Sequence, residues 1–168
     1  IHRVLKRWLP NETVFDEVRL FEPAPVQGPV RIGPVRLGIP ICEDAWHTEV
    51  PEAHAESGAE ILFVPNGSPY YREKFETRQS HMVARVVETG LPLVYLNMIG
   101  GQDDQVFDGG SFVLNPGGAL AVKLPVFDEV IEHVDFEETE DGWRAVDGPK
   151  ATFPDPWEQD YRVMVTAL

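Results

Sequence analysis

This chain of 168 residues lacks a second cysteine, a surplus of basic charge and any long apolar run. With Cys42 alone no disulfide can staple the fold, which excludes a disulfide scaffold and points to a cytoplasmic setting. Fourteen Lys and Arg stand against 28 Asp and Glu, a formal net charge of −14. Phosphate neutralisation needs the opposite balance, so nucleic-acid binding is excluded. No apolar stretch approaches the roughly 18–20 residues that cross a bilayer, and no signal-peptide pattern opens the chain. No group of Cys, His and carboxylate residues has ligand spacing, which leaves no candidate metal site. Gly100-Gly101 and Gly117-Gly118 have no helix after them, so neither reads as a phosphate-cradling loop.

What is present is enough to fold. An apolar fraction of 43% with 10% aromatics describes a globule with a real core rather than an acidic tail. The chain opens on Ile1 rather than Met and stops inside a run, residues 160–168, that reads as the start of a helix. It is expected to be an internal segment of a longer polypeptide.

Residues 22–34 hold four prolines and two glycines, which suits an irregular surface connection. Alternation over 35–41 predicts a strand ending at Cys42, and 51–57 a short helix stopped by Gly58. The all-apolar run Ile61-Leu62-Phe63-Val64 has the character of a strand buried on both faces. Phe75, Met82, Val83, Val86 and Val87 recur at helical spacing, predicting a helix over 74–89 closed by Gly90. A buried strand over 91–97, a loop over 100–105, a hairpin over 111–124 and a strand over 130–136 follow. Residues 137–157 are acidic and proline-bearing, more a linker than a core element. The whole predicts an α/β class with a mixed sheet. Three polar clusters fall at strand carboxyl ends, Cys42-Glu43-Asp44, Asn66-Gly67-Ser68 and Asn97, where α/β sheets place their sites.

Cys42 is the one candidate nucleophile, and attack needs its thiolate, hence a base or cation nearby. The five histidines are scattered. A Cys–His pair using His47 stays open, beside the plainer reading of Cys42 as core packing.

Ile41-Cys42-Glu43-Asp44-Ala45-Trp46 resembles the cysteine motif of the nitrilase (carbon–nitrogen hydrolase) superfamily, and Lys6-Arg7-Trp8-Leu9-Pro10 its lysine motif. Within the superfamily, the glutaminase domains of glutamine-dependent NAD synthetases are the most similar. That likeness rests on Leu9-Pro10-Asn11, Val14-Phe15-Asp16-Glu17, Asn66-Gly67-Ser68-Pro69, 90–97 and Gly100-Gly101-Gln102-Asp103 leading to 107–112.

The resemblance implies a nitrilase-like four-layer α-β-β-α sandwich, present in part, with its N-terminal portion missing. Residues 1–136 would be a partial amidase domain, and 137–168 an acidic linker and the start of a helix leading to an absent ligase domain. The same resemblance implies that Cys42 attacks the side-chain amide of L-glutamine while Lys6 neutralises the oxyanion. A glutamate from the missing portion would be the base. Glu17 would hold the substrate amino group, and Trp46 and Ser68 would line the pocket. Arg72, Lys74 or Arg78 could meet the substrate carboxylate, and Glu43 and Asp44 would position the turn. No cofactor is implied for this segment, with ATP and Mg2+ expected in the synthetase domain that would be its partner in the same chain. Homo-oligomers are common in the superfamily. At position 12 these synthetases carry an aromatic residue, whereas here it is Glu12. A free-standing amidase acting on another small amide and a catalytically dead nitrilase-like scaffold remain as alternatives.

Overall fold

A computed structural model describes residues 1–168. The first 29 residues form an irregular arm, after which β1 (Val30–Ile32) and β2 (Val35–Gly38) make a hairpin. A 3-10 turn, Cys42–Trp46, leads into α1 (Glu49–Glu56), then β3 (Ile61–Asn66), α2 (Lys74–Thr89) and β4 (Leu93–Asn97). Next come β5 (Ile99–Gln102), β6 (Gln105–Asp108), β7 (Phe112–Asn115), β8 (Ala119–Lys123), β9 (Phe136–Thr139), β10 (Gly142–Ala145) and α3 (Pro156–Thr166). Six strands share one mixed sheet in the order β1-β2-β3-β4-β7-β8, with β2, β3 and β4 parallel. The two remaining hairpins, β5-β6 and β9-β10, stand apart from it.

Strand periodicity explains the layering. In β3, Leu62 and Val64 point to the helix side and are fully buried with Met82 and Val86 of α2. Leu93, Tyr95, Phe112 and Leu114 complete that core, with Tyr95 and Phe112 stacked at 4.8 Å between ring centres. Residues between these positions face the other way, since side chains alternate along a strand. On that side Val113, Ala121 and Val122 pack with Ala145, while Phe63 and Val94 border an apolar groove of about 430 Å³. The chain thus builds one helix layer on one sheet, two of the four layers expected.

The helix over 74–89 and its Gly90 stop match the periodicity, Gly90 taking the left-handed conformation that glycine permits at φ +70°. Three expectations need correction. The strand placed over 130–136 is absent: Val130 and Ile131 are exposed, and pairing begins only at Phe136. The loop placed over 100–105 is the β5-β6 hairpin, whose ladder runs Ile99↔Asp108 to Gln102↔Gln105. The 137–157 stretch is packed rather than linker-like. Ala145 is buried, its N–H and C=O both bonded to the Asn115 side chain at 2.8 and 2.9 Å. Beyond it, residues 149–151 pair with Lys123 of β8, and Phe153 lies edge-on to Phe75 at 4.6 Å. The terminal helix begins earlier than its apolar residues suggest, at Pro156, because Asp155 caps it through the N–H groups of Trp157 and Glu158.

Candidate active site

Parallel pairing fixes where the chemistry can gather. β3 and β4 align Asn66 with Asn97, so both polar strand ends meet at one edge, beside the turn that follows β2. Cys42 opens that turn with φ +50°, a conformation uncommon for a residue with a Cβ. Such outliers persist where the surroundings hold them, and they concentrate at functional sites.

What holds this one is Asp44. Its buried carboxylate accepts the N–H groups of Arg7 (3.0 Å) and Trp8 (2.6 Å) on one oxygen and of Ile41 (3.0 Å) on the other. The clamp ties the arm that carries Lys6 to the turn that carries Cys42, across more than thirty residues of sequence. Burial pushes the Asp44 carboxyl up, and the three N–H donors and Lys6 oppose it. Of the two acids that the resemblance assigned to positioning the turn, Asp44 anchors it by these bonds, while the Glu43 carboxylate meets His47.

Burial also pushes the Cys42 thiol up. Lys6 opposes this through its charge, the backbone N–H groups of Gly67 and Glu43 oppose it by hydrogen bonding, and the Glu43 carboxylate adds to it. The net direction keeps Cys42 a thiol, so its proton must be removed during attack. The groups that set this thiol include no histidine. His47 stacks on Trp8 at 4.0 Å and meets Glu43 at 3.3 Å, and it makes no pair with the cysteine.

Lys6 is mostly buried and bonds both oxygens of Glu17, at 2.8 and 2.7 Å. Glu17, expected at a substrate amino group, is occupied by Lys6 in this structure. The pair lines a separate cleft of about 340 Å³, bounded by Leu5, Leu9 and Phe21.

Cys42, Trp46 and Ser68 do converge, in a neighbouring cleft of about 340 Å³ that Phe15, Tyr71 and Lys74 also line. Ser68 is held rigidly: Asn97 accepts its N–H at 3.0 Å and donates to its C=O at 3.2 Å, and Arg78 donates to both its oxygens. Arg78 cannot meet a substrate. It is fully buried, locked in a bidentate pair with Asp108 at 2.9 Å for each bond. Arg72 is likewise engaged, with Asp160. Lys74 makes no ion pair; its ammonium sits over the rings of Trp46 (4.6 Å) and Tyr71 (4.3 Å). A cation held by aromatic faces in the cysteine's own cleft suits a carboxylate ligand.

Phe15, Tyr70, Tyr71, Val106 and Val163 are cleft residues that reasoning from residue chemistry missed. They are apolar or aromatic groups from four separate segments. Only the motif likeness at Val14-Phe15 and Gly100-Gly101-Gln102-Asp103 gave any signal for two of those segments.

The carbon-nitrogen hydrolase family matches residues 2–143. The chain is similar to the glutamine-dependent NAD(+) synthetase of Rhodobacter capsulatus, 58% identical over 168 residues, covering 100% of this chain and 30% of that protein. The Thermotoga maritima enzyme of the same name is 37% identical over 131 residues, 77% of this chain and 23% of that one. The solved structure of the Acinetobacter baumannii glutamine-dependent NAD+ synthetase in complex with ADP superposes with a TM-score of 0.87 at 30% identity, covering 96% of this chain and 30% of that one. An amidase from Nesterenkonia sp. AN1, in which acrylamide has added to the active-site cysteine, superposes with a TM-score of 0.61 at 30% identity, over 71% and 45% of the two chains. The mixed α/β fold is that of these nitrilase-like neighbours. The chain spans about 30% of the length of the synthetases it matches most fully. No helix is long and apolar enough to cross a membrane.

Proposed function

The chain belongs to the carbon–nitrogen hydrolase family, and from that premise we propose that it forms the cysteine half of a glutaminase site supplying ammonia for NAD+ synthesis. The observation that carries this reading is the Cys42 turn. A strained cysteine faces a cleft holding Ser68, Trp46 and an unpaired Lys74, while the N–H groups of Glu43 and Gly67 approach its sulfur.

The chemistry follows from those positions. L-glutamine binds with its α-carboxylate at Lys74 and its side-chain amide at Cys42. Sulfur forms a bond to the amide carbon, and negative charge builds on the oxygen, where Lys6 and the Glu43 N–H stabilise it. The C–N bond then breaks, and the thiol proton leaves with the nitrogen as ammonia. Water hydrolyses the thioester, releasing glutamate and restoring the thiol. The proton carrier in this proposal is the glutamate that the family resemblance places outside residues 1–168; Glu17 is paired with Lys6 in this structure. Glu17 meets the substrate amino group only if that pair loosens on binding.

In this proposal the remaining length of the protein holds a synthetase domain that uses ATP and Mg2+. The residues here do not fit a metal, because no three His, Cys, Asp or Glu side chains gather to hold one. In the full-length protein, Cys42→Ala should abolish NAD+ formation from glutamine and leave formation from free ammonia intact. Glutamine-driven turnover that survives Cys42→Ala overturns the reading.

A further inference from the structure

Helix α3 lies far from Cys42 in sequence, yet it forms part of the cleft. Val163 is one of the lining residues, and three positions earlier, on the same side of the helix, Asp160 reaches Tyr70, another lining residue. One Asp160 oxygen accepts the Tyr70 hydroxyl at 3.0 Å, and the other accepts Nε of Arg72, also at 3.0 Å. Arg72 in turn lies over the Trp157 ring at 4.8 Å. At its far end the helix abuts β5, where Thr166 C=O would stand 3.0 Å from a Cβ at Gly101. The helix is therefore seated at both ends.

The residues that Asp160 grips are the outer half of the 67–73 connection between β3 and α2. Its inner half, at Ser68, is fixed by Asn97 and Arg78. In the outer half Tyr71 bonds only to the neighbouring Lys74, through its C=O and its hydroxyl. The ties to distant parts of the chain are the Tyr70 N–H bond to Val106 C=O (2.7 Å), the edge contact of Tyr70 with Phe127, Arg72 over Trp157, and the Asp160 contacts. This half carries Tyr70 and Tyr71 into the cleft and leads into Lys74, the cation that faces it.

We infer that Asp160 is a positioning residue for the substrate cleft, holding Tyr70, Tyr71 and Lys74 in the geometry that binds the carboxylate end of the substrate. The inference rests on the glutaminase reading of the Cys42 cleft. It makes α3 a working wall of that cleft. The Arg72–Asp160 pair is half-exposed, and pairs of that kind contribute little to stability. Its loss should alter the cleft without unfolding the protein.

Steady-state glutamine hydrolysis by the full-length protein tests this. Asp160→Ala should raise KM for glutamine by about tenfold with kcat changed by less than about twofold, because binding is lost and the reacting centre is not. Asp160→Glu, which keeps a carboxylate, should recover most of the affinity. Arg162→Ala is the control, since it removes ion pairs to Glu158 on the same helix and to Asp128 in the loop after β8, and touches none of the cleft loop. Its KM should match the parent. An unchanged KM in Asp160→Ala, or an equal rise in Arg162→Ala, overturns the inference. If Cys42→Ala still hydrolyses glutamine, it is the glutaminase reading that fails, so the two failures are told apart.

Discussion

Two Arg–Asp pairs hold the same connection, the one between β3 and α2, and they do it in opposite surroundings. Arg78 and Asp108 have side-chain exposures of 0% and 4%, whereas Arg72 and Asp160 have 53% and 32%. The inner pair meets further demands of burial, because Arg78 also donates to three other acceptors, Ser68 Oγ and the carbonyls of Ser68 and Pro69. Every polar group there has lost water and must find a partner in the protein. The outer pair remains wet and can open at little cost. The same two residue types thus make a fixed floor on one side of the β3–α2 connection and an adjustable rim on the other.

The largest break in that comparison is Asp108→Ala. It strands a buried guanidinium, and removing one partner of a buried pair costs about 3–5 kcal/mol. Urea unfolding of the full-length protein should show the amidase transition displaced to lower denaturant. Asp160→Ala should leave the same transition in place. If the two variants unfold alike, the contrast between floor and rim is wrong.

Asp44→Ala comes next. It leaves the N–H groups of Arg7, Trp8 and Ile41 without their acceptor, and a buried donor left unpaired costs about 1–3 kcal/mol. The effect on activity should exceed the effect on stability, since the clamp sets Lys6 against Cys42. The expected result is a lower kcat at nearly unchanged KM for glutamine, the reverse of Asp160→Ala. A KM effect with kcat preserved would place Asp44 with the rim instead.

The contrast also explains what could be seen in the sequence. Local periodicity revealed α2, β3 and β4, because their apolar residues repeat at 3.6 or run continuously between turn signals. The convergence of Cys42, Ser68 and Asn97 followed from strand ends in a parallel sheet. The pairing of Arg78 with Asp108 was invisible: thirty residues separate them, and Arg78 read from the sequence as a candidate for the substrate carboxylate rather than as a buried partner. The β5-β6 hairpin was hidden because Gly100-Gly101 removes the β-branched signal that strands usually carry. Residues 137–151 were misjudged for a related reason. Their composition is acidic, but their packing is done by the backbone of 149–151 and by Ala145 held on Asn115. Lys6 and Glu17 were each legible through their motif, yet their mutual pairing was not, since it depends on how an irregular arm folds back.

Salt should separate floor from rim with no mutation at all. Mobile ions screen exposed charges over about 10 Å at 0.1 M and about 3 Å at 1 M, and buried pairs far less. Raising salt across that range should therefore weaken the hold of Asp160 on Arg72 and leave Arg78 on Asp108. Glutamine KM of the parent protein should rise, by about two- to threefold if the exposed pair supplies a minor share of the hold on the loop. Asp160→Ala, having no rim pair to screen, should show a smaller rise over the same range. Screening of Lys74 against the substrate carboxylate acts on both proteins equally, so only the difference between their slopes reports on the rim. Parallel slopes would mean that the Tyr70 hydroxyl bond, which carries no net charge of its own, does the positioning, and Tyr70→Phe should then reproduce the KM of Asp160→Ala.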